Sequence, residues 1–246
     1  MHDAKLALSE EWDKTFPQSS RVSHKKVTFH NRYGITLAAD MYTPENASGR
    51  LAALAVAGPF GAVKEQASGL YAQTMAERGF LTIAFDPSYT GESGGEPRYV
   101  ASPDINTEDF CAAVDFLSVQ DNADPGKIGI IGICGWGGMA LNAAAIDTRI
   151  RATVTSTMYD MSRVTANGYF DAMTPDDRWK LRKVLNDQRP PITGAARMPR
   201  QEACRKRPKT RRSSLRITWP TTSTAPTTAA PSTRTMAGTK PRPCPS

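Results

Sequence analysis

Histidine is scarce in this chain. Its 246 residues include three, His2, His24 and His30, all within the first thirty positions. A reaction that needs an imidazole base can draw it only from there. Cysteine is also scarce. Cys111, Cys134, Cys204 and Cys244 show neither paired nor metal-type spacing, which argues against a disulfide framework and against a zinc ligand set. No apolar stretch approaches the ~20 residues that span a bilayer. The N-terminus, M-H-D-A-K-L-A-L-S-E-E-W, lacks a long apolar run and carries early acids, so it does not read as a signal peptide. Together these absences predict a reduced, cytoplasmic protein with no membrane segment, no metal and no cofactor.

Acids and aromatics are nearly missing from residues 190–246. This stretch holds one acid, Glu202, and one aromatic, Trp219, beside 12 of the 31 Lys and Arg and 10 of the 18 prolines. The formal charge of +7 is therefore +11 in the tail and −4 in residues 1–189. A basic balance points to nucleic acid or an anionic membrane, but here it does so only for the tail. The tail carries no recognition motif, and no nucleic-acid partner is expected.

Such a composition cannot build a core, so residues 190–246 are expected to form a disordered basic tail. Two alternatives stand beside a nucleic-acid arm: a solvated linker, and a stretch that is not the native continuation of the chain. The third is preferred. Residues 232–241 can be written in codons that, read in another frame, give N-S-N-D-G-W-N-K-T. An excess of Arg, Pro, Thr and Ala is what a GC-rich gene yields off-frame.

The informative part of the chain is I-G-I-I-G-I-C-G-W-G-G-M-A-L-N, residues 128–142. A buried-strand run meets a glycine-dense turn, and an Ala-rich, helix-favouring run over 139–146 follows at once. Strand, tight turn and helix in immediate succession form the scaffold of a nucleophile elbow. Cys134 is the only side chain at the apex able to act as a nucleophile, and a helix N-terminus behind it would favour the thiolate. Gly132, two residues before, fits the need for small neighbours. Trp136, two residues after, stands where glycine is usual. Sliding the pattern by one or two residues puts Gly135 or Trp136 at the apex, neither with a nucleophile. A small buried cysteine closing a core strand is the alternative.

Around this elbow the chain alternates strand and helix. Residues 1–21 read as an arm, a short helix or a loose segment, with Leu6, Leu8, Trp12 and Phe16 as apolar anchors. Alternation around Asn31-Arg32-Tyr33-Gly34 predicts a β-hairpin. Apolar runs at 51–57, 80–85, 128–133 and 152–157 predict buried strands. Helical spacing predicts a helix over 68–78, with Leu70, Tyr71, Met75 and Ala76 inward, and another over 107–117. Asp124-Pro125-Gly126 predicts a turn. Residues 22–157 thus read as an α/β core with a mostly parallel sheet and helices on both faces, incomplete on its C-terminal side. Residues 158–189 suit a cap or lid, with a helix starting near Thr174-Pro175.

The order of these elements, with G-P-F-G after the third strand and G-I-C-G-W-G-G at the elbow, resembles the α/β-hydrolase superfamily, and within it the dienelactone hydrolase branch. The resemblance covers roughly residues 22–189. It implies hydrolysis of an ester, lactone or related small acyl substrate, with Cys134 as nucleophile and the backbone N–H groups of Gly135 and Phe60 as the oxyanion hole. Pro59 has no N–H to offer. Asp86, Tyr89 and Glu92 would shape the pocket or form a solvated loop. The resemblance also implies an acid and a histidine beyond the elbow. Asp160 could hold such a base, but no histidine follows His30, and His24 and His30 read as surface residues on the outer hairpin. The chain is therefore expected to be impaired. A non-catalytic hydrolase-fold protein that binds a ligand or partner is the competing function.

Overall fold

The structure is a computed structural model, and it describes residues 6–9 and 11–188. The readings made for the tail, including Cys204 and Cys244, lie outside the described residues, as does His2.

Six strands form one sheet in the order β1-β2-β4-β3-β5-β6. They are β1 (Val22–His30), β2 (Thr36–Pro44), β3 (Leu51–Ala57), β4 (Leu81–Phe85), β5 (Ala123–Ile133) and β6 (Ile150–Ser156). β1 and β2 make the expected antiparallel hairpin, and β2 pairs antiparallel with β4. The β3–β4, β3–β5 and β5–β6 pairs are parallel. Only β2 runs against the rest, so the sheet is mostly parallel.

Both faces are covered, as near-continuous apolar strands require. On one face Phe110, Ala113 and Val114 of α2 (Pro103–Ser118), with Trp136, Met139 and Ala140 of α3 (Trp136–Ile146), pack on Ala53, Ala55, Ile83, Phe85 and Ile130. On the other face Ala72 and Ala76 of α1 (Ala67–Ala76) pack on Tyr42, Val56, Ala84 and Ile131. Alternate residues of β3 serve opposite faces, which is the period-two rule of a strand.

Three details differ from the sequence reading, and a fourth decides between its alternatives. The buried face of α1 is Ser68, Gly69, Ala72, Gln73 and Ala76, while Leu70 and Tyr71 are exposed. Small residues face inward because the helix lies close on its neighbours: a Cβ at Gly69 would stand 3.0 Å from the Phe16 ring. Asp124-Pro125-Gly126 is not a turn before β5 but an excursion within it, marked by a register shift against β3. The elbow helix begins at Trp136, three residues earlier than its alanine run suggested. The N-terminal arm forms no helix over its described residues, yet it buries Lys14 and Phe16.

Beyond β6 come α4 (Met161–Asn167), a 3₁₀ turn (Tyr169–Asp171) and α5 (Pro175–Asp187), none with a buried residue. α5 starts where the sequence places it, with Pro175 in the first turn and a reciprocal Thr174–Asp177 capping box. No helix among the described residues is long and apolar enough to cross a membrane.

Candidate active site

The chain makes a sharp corner at the end of β5. Cys134 has φ +58°, in the left-handed region that a side chain enters at a cost of roughly 1–2 kcal/mol. Its N–H donates to the Ser156 carbonyl at the end of β6 (2.8 Å), and its carbonyl accepts from the Gly137 N–H (3.0 Å). Gly132 is required by the corner. A Cβ there would press on the Trp136 carbonyl and stand 2.8 Å from Ala140 Cβ. Strand and helix are thus in backbone contact, and Cys134 is held in strain at the apex.

Trp136 fits this corner because it turns away from it. Its ring is buried among Phe60, Phe85 and Phe110, with centroids 6.0, 6.4 and 5.8 Å away. Space for its Cβ is left by Gly58, where φ is +99° and an added Cβ would lie 2.7 Å from Trp136 Cβ. A glycine on the opposing loop thus makes room for the bulk at position 136.

Phe60 follows on that loop, and its ring lies directly against Gly135, so close that a Cβ at Gly135 would collide with it. The two residues named for the oxyanion hole are therefore neighbours. Neither of their N–H groups donates to a protein acceptor among the described residues. Tyr159 lies beside the thiol; burial, then the Cys134 thiol and Tyr169, raise its hydroxyl pKa.

A cleft of about 270 Å³ opens beside this corner. Its walls come from residues 59–63 and from the loop after β4, with Asn106 of α2 and Trp136 at the back. None of its lining side chains carries a charge, and Cys134 is not among them. Asn106 spends its amide on the Ser102 N–H (2.8 Å) and on Asp109 (3.0 Å), which leaves it little to offer a ligand.

The loop after β4 is not the solvated loop that its polar sequence suggested. Asp86, Ser88 and Ser93 are buried. Ser88 donates to Asp109 through both its N–H (2.9 Å) and its hydroxyl (2.7 Å), and Ser93 bridges the Asp86 carbonyl and the Ala38 N–H. Burial pushes the Asp109 carboxyl up, opposed by the donors of Asn106, Asn31 and Ser88. Glu92 faces away from the cleft, toward Lys26 (2.8 Å), Lys64 (2.6 Å) and the Ser9 N–H (2.8 Å). Tyr89 does not line the cleft.

The structure brings together Cys134, Gly135 and Phe60. Among the described residues it does not bring a histidine or a carboxylate base to them. His24 sits on β1, four inter-strand steps or ~19 Å from β5, and it is not simply a surface residue: its Nε2 lies 2.8 Å from the buried Asp40. Asp160 is the N-cap of α4 and accepts the Arg163 N–H at 2.9 Å. One carboxylate triad, Asp13, Glu65 and Glu92, has metal-like spacing, but the Lys26 ammonium already lies 3.4, 3.9 and 2.8 Å from its oxygens.

The sequence alone missed Lys64, whose side chain is entirely buried against Asp86. A local window shows only its neighbour Glu65, because the partners that bury it, Asp86 and Glu92, lie 22 and 28 positions away.

Comparison with known proteins places this geometry in context. The family model of the X-Pro dipeptidyl-peptidase (S15 family) matches residues 33–233, a span that runs past the change of composition at 190. The chain is 67% identical over 185 residues to the uncharacterized protein PA2218 of Pseudomonas aeruginosa, covering 75% of this chain and 50% of that protein. It is 36% identical over 132 residues to the thiohydrolase aneE of Aspergillus aculeatus, 54% of this chain and 41% of that one. Among solved structures, the crystal structure of PA2218 superposes with a TM-score of 0.76 at 65% identity, covering 77% of this chain and 60% of that chain. The structure of DcsB in complex with its substrate analogue superposes at 0.60 with 25% identity, over 72% of this chain and 55% of that one. The chain spans about half the length of the curated relatives it matches.

Proposed function

Because the chain belongs to the X-Pro dipeptidyl-peptidase (S15) family and has the α/β-hydrolase fold, we propose that it is a hydrolase of small esters, lactones or thioesters that works through Cys134. The observation that carries this reading is the strained φ of +58° at Cys134, set between a parallel strand and a helix N-terminus. In the proposed reaction the Cys134 thiolate attacks the acyl carbon. The N–H groups of Phe60 and Gly135 take the oxyanion, one such donor being worth ~3 kcal/mol. The thiol gives its proton to solvent before attack, the leaving alkoxide or thiolate takes one from solvent as the C–O or C–S bond breaks, and water then splits the acyl-cysteine to the free acid and the thiol. The uncharged cleft favours an uncharged acyl group. The name of the thiohydrolase agrees with hydrolysis as the reaction, and the DcsB structure holds a substrate analogue.

The second step needs a base to activate water, and the chain has no histidine after His30. We therefore propose that acylation outruns deacylation here, and that residues 190–246 are an off-frame continuation that replaces the part carrying the base. The competing reading, a fold kept for binding alone, is favoured by the same missing base. Incubation with p-nitrophenyl hexanoate and intact-mass measurement separates the two. An adduct of one hexanoyl group, lost in Cys134→Ala, is expected. No adduct on the wild type, or an equal adduct on Cys134→Ala, would remove Cys134 from the mechanism. Sequencing the coding DNA around Arg189 tests the frame, and one uninterrupted frame in independent clones would end that part of the proposal.

A further inference from the structure

The two walls of the cleft are hung from one buried ion pair. Lys64 lies four residues beyond Phe60 on the loop after β3, and its side chain is wholly excluded from solvent. Asp86 closes β4 and opens the loop that forms the other wall; it too is wholly buried. The Lys64 N–H donates to Asp86 Oδ1 at 2.8 Å, and the Lys64 ammonium reaches Asp86 Oδ2 at 3.0 Å, Glu92 Oε2 at 2.6 Å and the Glu65 carboxylate. The Glu92 N–H returns to Asp86 Oδ2 at 2.9 Å. Gly91, in the cleft wall, is folded so tightly around this carboxylate (φ +54°) that a Cβ there would collide with it.

The N-terminal arm secures the same hub from outside. Ser9 N–H binds Glu92, Thr15 N–H binds the Glu65 carbonyl (2.9 Å), and Lys14, itself buried, bridges Asp13 (2.7 Å) and Asp40 (3.0 Å). Each carboxylate of the hub therefore has a donor. Packing alone does not require this arrangement, since an apolar pair of the same volume is often as stable as a buried ion pair. What the ion pair adds is a fixed spacing between two loops that make no sheet contact with each other.

We propose that Lys64 and Asp86 are positioning residues of the acyl site: their buried pair sets the separation of the wall bearing Phe60 from the wall bearing Thr90 and Gly91, and so sets how tightly an acyl group is bound. This rests on the reading that Cys134 and the adjoining cleft form that site. Neither residue lines the cleft. Each acts through the loop it holds.

The test uses the full chain and the double substitution Lys64→Met with Asp86→Asn, which removes both charges of the pair and leaves Lys26, at 3.9 Å from Glu65 and 2.8 Å from Glu92, as the cation beside the two remaining carboxylates. Acylation of Cys134 by p-nitrophenyl hexanoate is followed by mass against ester concentration. The half-saturating concentration is expected to rise about tenfold or more, the scale on which misplaced binding groups are felt. Alkylation of Cys134 by iodoacetamide, which needs no acyl pocket, is expected to change by less than about twofold. A folded double variant whose half-saturation is unchanged would make the pair structural only and overturn the proposal.

If the double variant does not melt cooperatively, Glu92→Gln, at the rim of the hub, is the milder substitution, with an expected rise of about threefold. An unchanged value there counts against the proposal equally. If wild-type Cys134 alkylates but never acylates, it is the acyl reading that fails. Amide exchange then decides the coupling of the walls: the hydrogen-bonded N–H groups of Ala62 and Val63 on one loop and of Thr90 and Ser93 on the other should lose protection together in the double variant, and loss in one loop alone would show that the pair does not link them.

Discussion

Cys134 adopts a conformation that its own side chain disfavours, and its neighbours explain why it stays there. Gly132 lets α3 press on β5, and Gly58 lets Trp136 pass. Gly58→Ala should therefore be more disruptive than its one added methyl suggests, because it meets both a φ of +99° and the Trp136 side chain. A lowered melting temperature and a changed iodoacetamide rate at Cys134 are expected together; a change in neither would mean the loop can yield. Trp136→Ala should cost about 3–5 kcal/mol in urea unfolding, the usual toll of emptying a large aromatic site. Cys111 offers a contrast within the same molecule. Burial, with Asp147 and Glu108 nearby, pushes its thiol up to about 11. At pH 8 only about one molecule in a thousand would carry that thiolate. Limiting iodoacetamide should reach Cys134 well before Cys111, and equal labelling would remove the elbow's claim to special reactivity.

Among the elements, those whose signals are local were legible in the sequence. β3 has the bounds of its apolar run, and α5 begins at its Thr-Pro start with the capping box in place. The apex cysteine was legible for the same reason: glycines, strand and helix are adjacent in the chain. What depends on distant partners was not. The inward face of α1 was misjudged because Leu70 and Tyr71 look like core residues, while the space beneath the helix admits only small ones. The loop after β4 looked solvated because the donors that bury Asp86 and Asp109 come from Lys64, Asn31 and Asn106. Burial raises the Glu92 carboxyl pKa, but Lys26 and Lys64 more than offset this and leave it below the usual value of 4.5. Its contribution to stability is complete above that value and is lost as the pH falls through the lowered one. Burial holds Glu65 above its ordinary value, which works in the opposite sense. Comparison with Glu92→Gln isolates the first effect: the melting-temperature advantage of the wild type should be constant from pH 7 to 5 and shrink below about 4.5. An advantage that grows on acidification would contradict the assignment. In α5, Thr174→Ala should cost about 1 kcal/mol of local stability, read as faster amide exchange over the first turn. An unchanged rate would mean that Pro175 and Asp176 suffice.

At the scale of the whole molecule, β6 is the last strand described, and its Val154 is half exposed beside the paired, buried β5. Among the described residues β6 has no partner on its far side, and an open ladder is a template for further pairing. On the off-frame reading proposed above for residues 190–246, a protein restored to one frame should cover that edge and be more soluble, as sedimentation of the two forms would reveal. The burial of Trp136 has one more consequence, and it is optical. Its indole is sealed among three phenylalanines at the back of the cleft, whereas Trp179 on α5 is about two-thirds exposed. The protein thus carries a fluorophore inside its own candidate pocket. An acyl compound that enters the cleft should alter the blue, apolar component of the emission and leave the red component of Trp179 in place. Titration of a variant with Trp12, Trp179 and Trp219 each replaced by Phe, which leaves Trp136 as the one indole, would then report occupancy directly, without any need for turnover.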